Sequence, residues 1–122
     1  MVHGLDVALS EALVLAERAG VDRAIAYGVF ADSAVAAPFV HYKRDAFVRP
    51  EETPVAFSLD LVAKDLDVIL GLAAGVGARM DQAETNRAVV ARALEAGMAE
   101  GDLSAIAVLL RDAGRLSRGA PG

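Results

Sequence analysis

FSLDLVAKDLDVIL, residues 57–70, has the spacing of one side of a buried helix, yet it carries Lys64 and Asp65 side by side at its centre. Residues three and four apart share a helix face. Lys64 therefore has Asp60 before it and Asp67 after it, and the simplest expectation is a solvated ion pair worth well under about 1 kcal/mol. Asp65 differs. At the same spacings it meets Leu61, Val62, Val68 and Ile69, with Leu72 one turn further on. Placing an unpaired carboxylate among apolar groups is costly. Two readings stay open: Asp65 accepts backbone N–H bonds from a neighbouring helix end or loop, or it lines a cleft.

Other residues with chemical potential are few. His41, Tyr42, Lys43 and Arg44 form a short basic patch with one aromatic, read either as a phosphate site or as a solvated loop or helix face. There is no cysteine, so neither a disulfide framework nor a thiolate metal site exists. Two histidines, His3 and His41, are too few for a histidine metal cluster, and no metal site is expected. The glycine cluster GLAAGVG, residues 71–77, follows helical periodicity and lacks the spacing of a dinucleotide fingerprint. It reads as helix-end glycines that allow close packing.

The elements that must position these residues are helical. In 122 residues, 55% are hydrophobic and only 5% aromatic, so Ala, Val and Leu fill one modest core. The net charge of −5 argues against an electrostatic nucleic-acid binder. No run reaches the roughly 18–20 apolar residues of a membrane span, and the N-terminus lacks signal-peptide features, so a cytoplasmic protein is expected. Leu5, Ala8, Leu9, Ala12, Leu13, Ala16 and Ala19 form a helical stripe stopped by Gly20. Asp22 caps a second helix with Ala24, Ile25, Val29 and Tyr27 inward, and a short helix begins near Pro38. RPEETPVAF reads as a surface loop. Further helices run from about Ser58 to Val76, from about Asp81 to Ala96, with Ala83, Val90, Ala91 and Leu94 inward, and from Asp102 onward. Tyr27, Phe30, Phe39 and Phe47 are core or dimer contacts. The expectation is an all-α bundle of five to six helices over residues 1–113, followed by a disordered tail at 114–122.

Three segments in order resemble the β-hydroxyacid dehydrogenase family, which includes 3-hydroxyisobutyrate dehydrogenases and tartronate semialdehyde reductases. FSLDLVAKDL resembles its F-x-L-x-L-x-x-K-D-L signature. SEALVLAERAGVD, residues 10–22, is similar to its AEAlaLaekaGld segment, and GDLSAIAVLL, residues 101–110, to its SAli ending. The resemblance implies a helical C-terminal domain like that of 6-phosphogluconate dehydrogenase. Such a domain closes over NAD or NADP bound by a separate Rossmann domain, and pairs into a homodimer.

By that resemblance Lys64 contacts the nicotinamide cofactor, while Asp65 and Phe57 belong to the substrate cleft. The family's catalytic lysine precedes the glutamate matched by Glu11 by several helical turns, and so is expected before Met1, with no catalytic residue in this chain. The same alignment would explain why the first helix opens without a cap. The implied activity is hydride transfer between cofactor and a small hydroxy acid or semialdehyde, with no cofactor expected on this chain alone. The alternative is a stand-alone, non-enzymatic helical oligomerisation module.

Overall fold

The protein is described by a computed structural model covering the backbone of residues 1–119 and side chains through residue 113. It is all-helical: α1 (Val2–Arg18), α2 (Arg23–Ala31), α3 (Pro38–Tyr42), α4 (Arg44–Val48), α5 (Leu59–Val76), α6 (Asp81–Glu95) and α7 (Ile106–Gly119). Single 3₁₀ turns lie at Pro50–Glu52 and Leu103–Ala105. Among the described residues the five or six expected helices become seven, because the chain from Pro38 forms two five-residue helices that meet at Lys43. The helical backbone of α7 runs to Gly119, and residues 120–122 of the expected tail lie outside the described residues.

Local chemistry accounts for the helix ends. The Asp22 carboxylate accepts the Ile25 N–H at 3.2 Å and starts α2. Pro38 occupies the first turn of α3, where its missing N–H costs nothing. Gly77 closes α5 in the left-handed region at φ 69°, a conformation that disfavours any side chain. The start of α5 is capped from a distance. Leu59 N–H donates to the Gly101 carbonyl at 2.9 Å, and Asp60 N–H to that of Ala99 at 3.0 Å. Leu103 N–H returns to the Phe57 carbonyl at 2.8 Å, making one antiparallel bridge between Ser58 and Asp102. A segment about forty positions downstream thus satisfies two of the orphan donors of the helix that carries Lys64 and Asp65.

Helix α1 lies at the centre and packs against α2, α6 and α7, while α5 packs on α6. Leu13, Tyr27, Phe47, Leu59 and Ile106 are completely or almost completely buried. Tyr27 and Phe47 stack with centroids 5.6 Å apart, and the Tyr27 hydroxyl donates to the Val40 carbonyl at 2.7 Å. Phe39 is also core, as expected. Glu17 joins three helices through Arg23 at 2.7 Å and Arg111 at 2.8 Å.

Two expected inward faces are corrected. The buried face of α1 consists of His3, Asp6, Val7, Leu9, Ser10, Leu13 and Val14, whereas Ala8 and Ala19 are exposed. The apolar stripe is rotated because three polar side chains belong to the interior. On α2, Ala26, Tyr27 and Ala31 are buried, but Ile25 and Val29 remain 64% and 63% exposed.

The basic patch at 41–44 also dissolves on folding. His41, Tyr42 and Arg44 are exposed, but Lys43 is buried, with its ammonium 2.7 Å from Asp102 Oδ2. Asp102 further accepts Ser104 Oγ at 2.6 Å and Ser104 N–H at 3.1 Å on that oxygen. Its Oδ1 takes the Ala56 and Phe57 N–H groups at 2.9 and 3.1 Å. Burial alone pushes this carboxyl up, but the bonds from Lys43, Ser104 and Ala56 outweigh it and hold Asp102 well below the usual carboxylate range. A depressed carboxyl stabilises the fold fully above its unfolded pKa of about 3.9, and that stabilisation is lost progressively as pH falls from there through the lower folded value. Asp102→Ala strands a buried ammonium and should cost about 3–5 kcal/mol in urea unfolding at pH 7, with a much shallower acid limb than the parent chain.

Candidate functional site

A cavity of about 300 Å³ opens where the first turn of α1, the α3–α4 junction, the loop before α5 and the second turn of α5 converge. Each wall is set by a feature of the fold. Phe57 is placed by its N–H bond to Asp102 and its carbonyl bond to Leu103. Phe39 faces Tyr42 edge-on across the single turn of α3, centroids 5.6 Å apart. His3 enters from α1 and stacks on Phe57 at 6.1 Å and 29°. Asp65 enters from α5, and its Oδ2 lies 3.3 Å from His3 Nε2.

The structure thus brings the expected cleft residues Phe57 and Asp65 into one cavity. It corrects the idea that Asp65 holds backbone N–H groups: its one hydrogen-bond partner among the described residues is the His3 ring. It also corrects its surroundings. Val62 is buried at 1%, but Leu61, Val68 and Leu72 are 44%, 64% and 69% exposed, so the Asp65 face of α5 is only partly buried. The Asp65 side chain is itself half-exposed, and the long His3 contact is worth little in water.

Lys64 does not line the cavity. It is exposed on α5, and the expected pairs with Asp60 and Asp67 do not form. Asp60 is engaged by the Ser58 hydroxyl and the Leu61 N–H. Asp67 receives Arg87 of α6 at 2.8 and 3.3 Å, which holds its carboxyl below the usual range. Lys64 therefore presents an ammonium with no ion-pair partner among the described residues. Gly71 and Gly75, expected to allow close packing, face open space.

Three buried polar residues next to the cleft had no signal in apolar periodicity: His3, Asp6 and Lys43. Asp6 and His3 are three apart and share a face of α1. Lys43 could have been suspected only from pairing with the downstream Asp102, a partner that periodicity cannot supply. Among the described residues no cluster of three or more metal-ligating side chains occurs. Asp6 is 2% exposed, and its Oδ1 has no hydrogen-bond partner. Burial, reinforced by the Asp102 charge and only partly offset by Lys43, raises its pKa well above the usual carboxylate value.

The sign is opposite to that of Asp102. A raised carboxyl binds its proton more tightly when folded, so stability falls as pH rises from about 4 through the raised value. In Asp6→Asn that decline should disappear. The variant should gain stability over the parent chain at pH 7 to 8 and show no gain near pH 4, measured as urea midpoints across pH. A parallel pH dependence in both proteins would show that folding does not raise the Asp6 pKa.

Comparison with known proteins gives this geometry a context. No curated protein sequence matches the chain. Among solved structures, the 3-hydroxyisobutyrate dehydrogenase of Salmonella typhimurium is similar, with a TM-score of 0.78 and 26% identity. The match covers 88% of this chain but 38% of that one, so the chain spans well under half the length of that relative. A family model described as NAD-binding of NADP-dependent 3-hydroxyisobutyrate dehydrogenase matches residues 1–110, and with nearly the whole described chain inside that match, the protein belongs to this dehydrogenase family.

Proposed function

We propose that this chain is the helical, cofactor-capping and dimer-forming part of an NAD(P)-dependent 3-hydroxyacid dehydrogenase or semialdehyde reductase. The observation that carries the reading is the pairing of the family match over residues 1–110 with a cleft that holds Phe57 and Asp65, while Lys64 stands free on the same helix. In such an enzyme the nicotinamide supplies the hydride acceptor or donor. The residues here bind and orient. A free, flexible ammonium such as that of Lys64 fits a phosphate or ribose oxygen reaching across from a second domain. Asp65 is half-exposed and can accept a substrate hydroxyl, while Phe57 covers one side of the cleft and excludes water.

In the dehydrogenase reading a lysine moves the substrate proton, and we assign that role to a group outside these residues. The chain has two lysines, Lys43 and Lys64. Lys43 is committed to Asp102, and Lys64 lies outside the cavity. The chain by itself is thus read as inactive, with its partner a Rossmann domain that carries the dinucleotide. The setting proposed is cytoplasmic. Among the described residues no helix is long and apolar enough to cross a membrane.

The exposed apolar residues support pairing between copies. Ile25 and Val29 lie one turn apart on α2, and Val68, Leu72 and Val76 follow one stripe of α5, all more than 60% exposed. Exposed apolar stripes on two helices leave surface that a second copy can cover, and a two-fold dimer is the simplest way to cover it.

Two outcomes test the reading. Lys64→Ala should leave the urea midpoint of this chain unchanged, since Lys64 is exposed and has no hydrogen-bond or ion-pair partner among the described residues. In a two-domain enzyme that carries this chain it should weaken cofactor binding or turnover about tenfold or more, because a charge-assisted contact contributes roughly 1.5–3 kcal/mol. Normal kinetics there would return Lys64 to a surface charge. In sedimentation at high micromolar concentration the 122-residue chain should run as a dimer, and a monomer would remove the pairing role.

A further inference from the structure

We infer that the cavity beside Phe57 takes the aryl or bulky apolar side chain of a hydroxy acid, and not its carboxylate. This deepens the dehydrogenase reading above and rests on it. The first ground is the wall chemistry. Phe39, Tyr42, Phe57 and Leu103 present rings and methyl groups, so the lining is mostly apolar. Three aromatic rings around one space favour a planar guest, which can stack or meet ring edges.

The second ground is charge. A site for a carboxylate needs a free cation or several aimed N–H donors. Lys43 is the one lysine or arginine that lines the cavity, and its ammonium is held 2.7 Å from Asp102. The N–H groups of Ala56 and Phe57 are already given to the same carboxylate, His3 Nε2 is engaged with Asp65, and the unpartnered His3 Nδ1 is shielded from solvent. Asp65 adds a carboxylate of its own at the exposed side of the cavity. An entering anion would meet repulsion and no free cation, whereas a hydroxyl could donate to Asp65 while the side chain beside it sinks between the rings.

The third ground is size. An apolar cavity of about 150 Å³ suffices for benzene, and this one is about 300 Å³. A methyl or hydroxymethyl group would leave most of the aromatic surface wet. His3 narrows the choice further: it is 7% exposed, holds Asp65 through Nε2, and keeps Nδ1 without a partner. It thereby fixes the polar group at one edge of an otherwise apolar chamber.

The test uses the 122-residue chain without cofactor. It is titrated with 3-hydroxy-3-phenylpropanoate and, separately, with 3-hydroxypropanoate, followed by NMR of backbone amides and histidine rings. The aryl acid should bind at least about tenfold more tightly, the effect of burying one aromatic group, and should shift Phe57, Tyr42 and the His3 ring. Ala56 is an exposed loop residue on the cavity wall. Ala56→Leu should abolish the preference with an unchanged urea midpoint. Equal affinity for the two acids, or aryl binding that survives Ala56→Leu, overturns the inference. The result is independent of the Lys64 experiment. A silent Lys64→Ala in the two-domain enzyme would remove the cofactor role and leave this titration standing, and a failed titration would leave the cofactor result intact.

Discussion

The buried pair of Lys43 and Asp102 organises the rest of the molecule. Moving two charges out of water is expensive, and Coulomb attraction between them offsets the cost only when the remaining hydrogen-bond positions are filled. Here they are: Asp102 collects the Lys43 ammonium, the Ser104 hydroxyl and three backbone N–H groups. Those donors come from three separate places: the α3–α4 junction, the loop before α5, and the turn that opens α7. One carboxylate therefore sets the relation between segments far apart in sequence. The adjoining backbone bridge then caps α5 and places Phe57 at the cleft.

The same arrangement explains why the cleft is poor in free cations although the chain places His41, Lys43 and Arg44 close together. The charge that could have served an anion is spent internally on holding the loop. What remains at the cavity is a ring of aromatics with one histidine and one carboxylate, while the free ammonium of Lys64 points elsewhere on α5. Adjacent residues on a helix are about 100° apart around its axis. Lys64 and Asp65 thus cannot serve the same spot, and their division between an open face and a cleft follows from geometry alone.

Stability and function press on the same helix face of α1. His3, Asp6 and Ser10 occupy positions that a purely structural helix would fill with leucine or alanine. Ser10 returns its hydroxyl to the Asp6 carbonyl at 2.7 Å and is satisfied within the helix. Asp6 has no such outlet. Its carboxyl sits near the Lys43–Asp102 pair, where one carboxylate already uses the cation, and a second can be buried only at the cost of a raised pKa. Polar groups buried this way tend to sit next to functional clefts, and this one lies one turn along α1 from the histidine that lines the cavity.

The sequence by itself determined the all-α class, most helix boundaries and the family. These depend on local physics: Asp22 as a cap, Pro38 at a first turn, Gly77 as a stop, and the linear spacing of FSLDLVAKDL. Through the resemblance of FSLDLVAKDL to the family signature, it also brought Phe57 and Asp65 forward as companions. It misplaced the buried faces of α1 and α2, because periodicity counts apolar residues and the interior of α1 uses His3, Asp6 and Ser10. Only the tertiary structure decided that Lys43 is internal, that Asp65 answers to His3 and that Lys64 stands unpaired. Each of these depends on a partner between about 20 and 60 positions away: Asp102 for Lys43, His3 for Asp65, and Arg87, which draws off the Asp67 that Lys64 would otherwise have met. No window along the chain contains both members of such a pair, and only the packing of one helix on another brings them within hydrogen-bond reach.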